Sequence, residues 1–198
     1  MIHKLKTGPA IEPVTLSEMR AHMGIAQVDD TARDDVILSR IEAARQWVEG
    51  YTNQVFINQT FVAYGGGFVN DAHFGSVTVN LKGPLQSVTS IKYLSGNVLN
   101  TLDVSNYYIS LPFNAVAPAH GKTWPITDGQ LDAVQIEYVA GYGADAAAVP
   151  QGIKEAIMFI VSQWEVFQSS IEGIIRPMTV PNAAKELLGQ YIDYRGGI

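Results

Sequence analysis

Cysteine is absent from this chain of 198 residues, which excludes disulfides, thiolate metal sites and cysteine nucleophiles. Positive charge is scarce, because 13 basic residues face 19 acidic ones, and the net charge of −6 disfavours tight binding to nucleic acid beyond a local basic patch. No apolar run approaches the roughly 18 to 20 residues that cross a bilayer, and the first residues lack the apolar core of a signal peptide. These absences predict a soluble, cytoplasmic protein with no membrane partner.

The apolar fraction of 47% is ordinary for a globular protein, so the chain can bury its own core. Its length predicts one domain, or one domain that carries a sizeable insertion. An insertion is indicated by the hydrophobic periodicity, which is helical near both ends of the chain and strand-like in between.

The longest helical pattern runs from Thr31 to Thr52. Its apolar residues recur at intervals of four, three, four and three, which places them on one stripe of a helix. These residues are Ile37, Ile41, Ala44, Val48 and Tyr51, with Leu38 and Trp47 widening the stripe. Thr31 is predicted to cap this helix, with Asp34 and Asp35 near the positive end of the helix dipole. A helix of roughly 30 Å needs a partner, either another helix of the chain or a neighbouring subunit.

Shorter helical patterns surround it. Residues 1–14 are predicted to be an extended arm, and Thr15 and Glu18 form the capping pattern of a short helix over residues 16–23. The arm ends where this capping pattern begins.

Helical periodicity returns near the carboxyl terminus. A helix beginning at Pro150 is predicted to continue to about Phe167 and to pack on the long helix. Residues 168–180 lose this periodicity and are predicted to form an exposed loop. A last helix is predicted over residues 182–194.

Residues 55–141 contain several runs rich in β-branched and aromatic residues, separated by turn-forming glycine, proline and asparagine. The run around Ile136 alternates apolar and polar residues, as on a half-buried strand. We therefore predict an α+β fold, in which an antiparallel helical core of about four helices is interrupted by an inserted antiparallel β unit. The predicted parts are an arm and helices over 1–54, the β unit over 55–141, and carboxy-terminal helices over 142–198.

No catalytic or metal-binding pattern stands out. The histidines, which are His3, His22, His73 and His120, lie in different predicted elements, whereas zinc ligands usually occur in pairs at short spacing. The three glycines at residues 65–67 are not followed by the helix that a phosphate-binding loop requires, and no serine lies in a G-x-S-x-G elbow. We therefore expect a protein that is not an enzyme and needs no cofactor or metal.

Seven segments occur in an order and spacing that are distinctive together, although each is weakly specific alone. They are PAIEPVTLSEMRAHMGI, IEAARQWVEGYTNQVFINQT, GPLQSVTSIKYL, TLDVSNYYI, WPITDGQLDAVQIEYVAGYG, VPQGIKEAIMFIVSQWEVF and VPNAAKELLGQYIDYR. Their arrangement resembles the head–tail connector, or adaptor, proteins of tailed bacteriophages and related gene-transfer particles. The resemblance extends over nearly the whole chain, although residues 113–123 and 168–180 follow no fixed pattern of that family.

The resemblance implies a non-enzymatic homo-oligomeric ring of twelve copies, docked beneath the portal vertex of the capsid. The ring would lie in the virion neck, between the portal protein and the stopper or tail-completion protein, after assembly in the host cytoplasm. Double-stranded genomic DNA would pass through its lumen. The acidic charge agrees with that role, since each basic contact to phosphate would slow the passing DNA.

Two sets of contact residues are predicted for such a ring. The charged side of the long helix is expected to be free for the neighbouring subunit, and residues 171–198 are expected to reach the portal. The predicted intersubunit residues are Arg33, Arg40, Glu42, Arg45 and Glu49, and the predicted portal-docking residues are Lys185, Leu187, Leu188, Tyr191 and Arg195. The β unit is expected at the periphery of the ring or toward the tail.

Two alternatives stay open. Within the virion, the chain could instead be a stopper or tail-completion protein. As a β-rich carbohydrate- or ligand-binding module, it would use a stacking surface built from Tyr107, Tyr108, Trp124 and Tyr138. A hydrolase is disfavoured, because the sequence shows no constellation of nucleophile or metal ligands.

Overall fold

The computed structural model describes residues 1–25, 31–68, 78–169 and 180–194. The chain divides into two compact units. The β unit comprises Met1–Ala10, Gln54–Ala144 and Asp193–Ile198, and the helical unit comprises Ile11–Asn53 and Asp145–Ile192. The predicted α+β fold, a helical core interrupted by an antiparallel β insertion, is confirmed.

The helical unit contains four α-helices in its described part. They are α1 Leu16–His22, α2 Thr31–Thr52, α3 Gln151–Ser169 and α4 Asn182–Leu188, and α4 continues into a 3₁₀ turn at Gly189–Tyr191. α1 begins with the predicted capping box, in which the Thr15 hydroxyl accepts the Glu18 N–H (3.1 Å) and the Glu18 carboxylate accepts the Thr15 N–H (2.8 Å). Thr31 is the first residue of α2, and residues 26–30, which would form its cap, lie outside the described residues, as does most of the predicted loop over 168–180.

The core of the helical unit forms where α2 packs on α3, as the apolar stripe predicts. The buried stripe residues of α2 are Ile37, Ile41, Ala44 and Val48, and those of α3 are Ile153, Ala156, Ile157, Ile160 and Val161. Leu38 and Tyr51, which were expected to extend the stripe, are 42% and 37% exposed. α4 packs on α3 and buries Ala184 and Leu188. Complete burial of each large aliphatic side chain contributes roughly 1.5–3 kcal/mol.

The described part of the β unit contains eight strands. They are β1 Ile2–Thr7, β2 Gln59–Gly65, β3 Val79–Asn80, β4 Leu85–Ser95, β5 Val98–Thr101, β6 Tyr107–Ser110, β7 Ala115–Pro118 and β8 Val134–Ala140. Five strands form an antiparallel sheet in the order β1-β2-β8-β4-β5, and the other three form a sheet in the order β3-β7-β6.

The five-stranded sheet has one buried face and one partly exposed face, because side chains alternate along each strand. On β8, Ile136 and Tyr138 are buried, while Gln135 and Glu137 between them are half-buried. Apolar residues of the three-stranded sheet, such as Val116, join the core on the buried face. The other face carries polar side chains toward solvent.

Three strands differ from the prediction. Residues 2–7, predicted as part of an extended arm, form the edge strand β1 and pair with β2, with Lys4 opposite Val62. The prolines that follow this short segment led to its prediction as an arm. Its backbone instead forms hydrogen bonds with β2, whose backbone groups on that side would otherwise be unpaired. The strand β5 lies outside the runs that were predicted as strands. The strand β7 was missed, since it is short and contains alanine and proline, which have low strand propensity.

Candidate functional site

Arg45, predicted to face a neighbouring subunit, is buried inside the helical unit and only 4% exposed. Its guanidinium donates to the carboxylate of Glu12 through Nε (2.8 Å) and to that of Glu49 through Nη1 (2.8 Å). Burial opposes the charged form, yet the two carboxylates hold the pKa of Arg45 above its ordinary value. Arg45 and Glu49 are therefore not free for another subunit, because the ion pairs of Arg45 with Glu12 and Glu49 hold the segment before α1 against α2.

Further ion pairs join other segments of the helical unit. They are Arg20 with Asp34, Arg40 with Glu165, and Lys154 with Glu18. Burial acts to raise the pKa of Glu18, but hydrogen bonds from Lys154 and Thr15 hold that pKa below its ordinary value. The expectation that Arg40 is free is also wrong, since Arg40 connects α2 to α3.

The remaining predicted intersubunit residues, Arg33 and Glu42, lie at the surface. Arg33 has an interaction within the chain, and Glu42 accepts a hydrogen bond from Nε2 of Gln46 (3.1 Å). Exposed residues of α2 recur at intervals of four, three and four on one side of the helix: Asp35, Ser39, Glu42 and Gln46. These four residues form a polar surface that we call the outer stripe of α2.

The predicted portal-docking residues are divided by the fold. Lys185 is exposed, Leu187 is half-buried and Leu188 is fully buried in the helical core. Tyr191 packs against α3, so closely that a Cβ at Gly152 would lie 2.9 Å from the tyrosine hydroxyl oxygen. Arg195, which was also predicted to dock, lies outside the described residues. Leu188 can contact a partner only if the helical core opens. Among the described residues of this set, Lys185 is the exposed charged side chain.

The aromatic residues of the alternative binding module do not form one stacking surface. Tyr138 is fully buried, and its ring stacks on Phe61 at a centroid distance of 5.7 Å. Tyr107 and Tyr108 are successive residues of β6 and point to opposite faces, and Tyr108 is 61% exposed. Trp124 is half-buried and stacks on the Phe68 ring. The fold therefore contradicts a four-residue aromatic platform.

A cluster of lysines lies on the polar face of the five-stranded sheet. Lys4 and Lys6 on β1 and Lys92 on β4 surround Glu137 on β8, whose carboxylate accepts a hydrogen bond from Lys6 Nζ (2.7 Å). Lys4 Nζ lies 5.7 Å from the centroid of the Tyr64 ring. A shallow hollow of about 360 Å³ covers this area and is also lined by Leu5, Val62, Ser90 and Gln135.

We call this surface the lysine face. The sequence shows that Lys4, Lys6 and Lys92 alternate with residues of the opposite face in their strands. Their proximity depends on the strand order, which places β1 and β4 in one sheet although they are far apart in sequence. Sequence reasoning therefore missed this surface.

The loop that precedes β8 presents two highly exposed apolar side chains, Ile126 (88%) and Leu131 (91%). Asp128 in the same loop accepts the backbone N–H groups of Gly96 (2.8 Å) and Asn97 (2.7 Å), which form the turn between β4 and β5. The loop is thus tied to the end of a hairpin. Single exposed apolar side chains are normal on protein surfaces, so Ile126 and Leu131 are not assigned to a partner.

The histidines occupy separate places. His3 Nδ1 lies 2.8 Å from the Tyr138 hydroxyl, His22 packs edge-on against Phe159, and His120 is exposed, while His73 lies outside the described residues. Among the residues that the structure describes, no group of three histidine, aspartate or glutamate side chains is placed to hold a metal ion. Over the same ranges, no helix is both long and apolar enough to cross a membrane.

The sequence matches the profile of one protein family over residues 13–115, which is more than half of the chain. That family is described as the phage gp6-like head–tail connector proteins. No curated protein matches the sequence.

Solved structures show the same fold over almost the entire chain. Similar chains occur in the neck of an empty gene transfer agent (GTA) particle computed with C6 symmetry (TM-score 0.75, 19% identity) and in the virion of a native GTA particle (TM-score 0.74, 20% identity). A third occurs in the neck of a native GTA particle computed with C12 symmetry (TM-score 0.71, 20% identity). Each alignment covers 98% of this chain and 97% of the other chain.

Proposed function

We propose that this chain, which belongs to the phage gp6-like head–tail connector family, is an adaptor that forms a ring of twelve copies beneath the portal of a tailed virus-like particle. The ring joins the capsid vertex to the stopper or tail proteins and lets double-stranded DNA pass through its lumen. The observation that carries the proposal is the alignment of 98% of this chain with chains of GTA necks, together with the family match.

Symmetry supports the ring. One of the similar neck structures was computed with C12 symmetry and another with C6 symmetry, and twelve copies are compatible with both. A closed ring of identical subunits needs heterologous interfaces, in which one surface of each copy meets a different surface of the next. The outer stripe of α2 and the lysine face are two different surfaces of this kind.

The carboxy-terminal segment is the part that we assign to the portal. Lys185 is exposed on α4, and the adjoining residues 171–179 and 195–198 lie outside the described residues. Deletion of residues 182–198, a simple test of this assignment, would also remove the buried side chains of Ala184 and Leu188 from the helical core. A single substitution at Lys185 tests docking without that loss.

Co-expression with the portal protein of the same particle tests the function directly. We expect the wild-type chain to co-purify with portal and to appear as a twelvefold ring on one end of it by electron microscopy. We expect Lys185→Glu to weaken portal binding by about tenfold while its unfolding midpoint stays unchanged, because a charge at an interface rim alters association more than folding. Lys122→Glu, an exposed charge reversal in the β unit, serves as the matched control.

Two results would contradict the adaptor assignment. A chain that never binds portal under conditions in which it is folded would overturn it. Binding only to portal that already carries another ring would assign the chain to the stopper or tail-completion position instead. Equal portal binding by Lys185→Glu and Lys122→Glu would remove Lys185 from the docking site and leave the ring assignment standing.

A further inference from the structure

The net charge of the chain resides entirely in one of its two units. The residues of the helical unit include 7 basic and 13 acidic side chains, which gives 7 − 13 = −6, and those of the β unit include 6 of each, which gives 0. Among the exposed acids of the helical unit are Asp35 and Glu42 on the outer stripe of α2. The excess of acidic residues is therefore confined to the helical unit.

The lysine face carries the opposite charge. Lys4, Lys6 and Lys92 contribute three positive charges against the one negative charge of Glu137, which is already paired with Lys6. β1 and β4 are separated by β2 and β8, so the two lysine-bearing strands lie about 14 Å apart at ~4.8 Å per strand. The hollow between them is open and polar.

The distance between the two acids on the outer stripe of α2 is close to the distance between the lysine-bearing strands. Asp35 and Glu42 are seven residues apart, which corresponds to about 10.5 Å along a helix at 1.5 Å per residue. Lysine ammonium groups move on flexible four-carbon stems, so they can close the remaining difference. The polar side chains of Ser39, between the two acids, and Gln46, beyond them, suit a hollow lined by Ser90 and Gln135.

We propose that the lysine face of one copy docks on the outer stripe of α2 of the next copy around the ring. This inference rests on the proposed ring and names the two different surfaces that meet at each of its heterologous interfaces. It replaces the predicted contacts of Arg40, Arg45 and Glu49, which are engaged inside the subunit, and it retains Glu42.

DNA is a poorer occupant of the lysine face. The carboxylate of Glu137 lies among the three lysines and would repel phosphate oxygens. Three lysines also provide few of the phosphate contacts on which binding to DNA depends. A helix that offers carboxylates to the lysines and hydrogen-bonding groups to Glu137, Ser90 and Gln135 meets the same surface without that repulsion.

Charge reversal in a head-to-tail ring makes a sharp test. Lys4→Glu combined with Lys92→Glu changes the charge of the lysine face from 3 − 1 = +2 to 1 − 3 = −2, and Asp35→Lys combined with Glu42→Lys reverses the charge of the outer stripe. All four positions are exposed, so we expect both variants to keep the wild-type circular dichroism and melting temperature. Each variant alone should lose self-association, or ring formation on portal, by about tenfold or more, because like charges then meet at every interface.

Combining the changes should restore assembly. In a mixture of the two variants, each surface meets a neighbour of opposite charge, so rings with alternating copies are expected by mass photometry and electron microscopy. A single chain that carries all four substitutions should assemble as well, for the same reason. Lys122→Glu and Glu186→Lys, both exposed charge reversals outside the two surfaces, are the matched controls and should assemble as the wild type does.

The possible outcomes separate this inference from the adaptor function. Wild-type rings with undisturbed assembly of both reversed variants, or with no rescue on mixing, would overturn the interface and leave the ring intact. A shift of DNA in a gel-retardation assay by the wild type, but not by the variant with Lys4→Glu and Lys92→Glu, would assign the lysine face to DNA and overturn the interface as well. If the wild type forms no ring even with portal, the adaptor function and the interface fall together.

Discussion

The helical unit and the β unit use their charges in opposite ways. In the helical unit, both Arg40 and Arg45 of α2 form ion pairs within the unit, and Arg45 connects Glu12 and Glu49 in nearly complete burial. In the β unit, Lys6 and Glu137 pair on an open sheet face, where the lysine side chain is 53% exposed. The helical unit contains more charged residues than the β unit, but its cations are more often held in ion pairs within the unit and are less available to a partner.

The energetic consequences differ accordingly. Removal of one member of a buried ion pair leaves an unpaired charge in a poorly solvated place and costs about 3–5 kcal/mol, whereas an exposed pair contributes about 0–1 kcal/mol. The ion pairs of α2 therefore stabilise the fold. The exposed pair of the lysine face can be replaced by contacts with another molecule at little cost in stability. Substitutions in the two units test this contrast.

The largest effect is expected for Arg45→Ala. The substitution leaves Glu12 and Glu49 without their shared cation and removes a packed side chain, so the free energy of unfolding should fall by about 3–5 kcal/mol. Urea denaturation followed by circular dichroism measures it. Glu42→Ala, on the exposed outer stripe of the same helix, should change stability by less than about 0.5 kcal/mol. Similar losses in both variants would abolish the contrast between inner and outer charges.

A smaller loss is expected for Tyr138→Phe in the core of the β unit. The Tyr138 hydroxyl lies 2.8 Å from His3 Nδ1 and accepts the backbone N–H of Lys82 (3.3 Å), so its removal leaves two polar groups short of a partner. We expect a decrease of about 1–2 kcal/mol in the free energy of unfolding. Tyr108→Phe, at an exposed site, should be neutral by the same measurement. A neutral result for Tyr138→Phe would show that the buried hydroxyl is not needed.

The pH dependence of stability should reveal His3. Burial, followed by the charges of Lys82 and the terminal amino group, lowers the pKa of His3 from 6.5 to about 4. The unfolded chain therefore takes up this proton first as the pH falls, so the contribution of His3 is complete above pH 6.5 and is lost between 6.5 and about 4. Allowing for solvent screening of this partly exposed ring, the loss is about 1 kcal/mol.

Substitution isolates that contribution. His3→Gln should flatten the dependence of the unfolding free energy on pH over this window, whereas His120→Gln, at an exposed turn, should keep the wild-type slope. Parallel curves for the wild type and His3→Gln would show that other groups cause the acid sensitivity.

The smallest effect is expected for the ion pair of the lysine face. A double-mutant cycle between Lys6→Ala and Glu137→Gln should give a coupling energy below about 1 kcal/mol, because the pair is exposed. Chemical denaturation of the four proteins of the cycle measures the coupling. A coupling as large as the loss in Arg45→Ala would mean that the lysine face also stabilises the fold and is not available for exchange.

Periodicity predicted the helices and the class of fold well. The Thr31–Thr52 helix, the capping box at Thr15 and the packing of α2 on α3 follow from local spacing, which a sequence displays directly. The orientation of charged residues was predicted less well, because the same helical spacing cannot tell an inward arginine from an outward one. Arg45 looked like a surface residue until the folded chain placed Glu12 beside it.

The lysine face was beyond prediction for a different reason. Its members come from strands at opposite parts of the sequence, and only the order β1-β2-β8-β4-β5 makes them neighbours. Non-local strand order is not encoded in any short pattern. Recognition of residues 2–7 as a strand would have been the first step toward finding this surface. Without that strand, Lys4 and Lys6 are assigned to an extended arm and not to the sheet.

The interrupted helical unit has a consequence for synthesis. α2 is synthesised before residues 54–144 and α3, although its apolar stripe is buried only when it packs on α3. At roughly 5–20 residues per second, translation of these 91 residues takes about 5 to 18 s, far longer than a helix needs to form. The nascent chain therefore carries an uncovered apolar helix during this interval, in which it could associate with a neighbouring nascent chain before folding is complete.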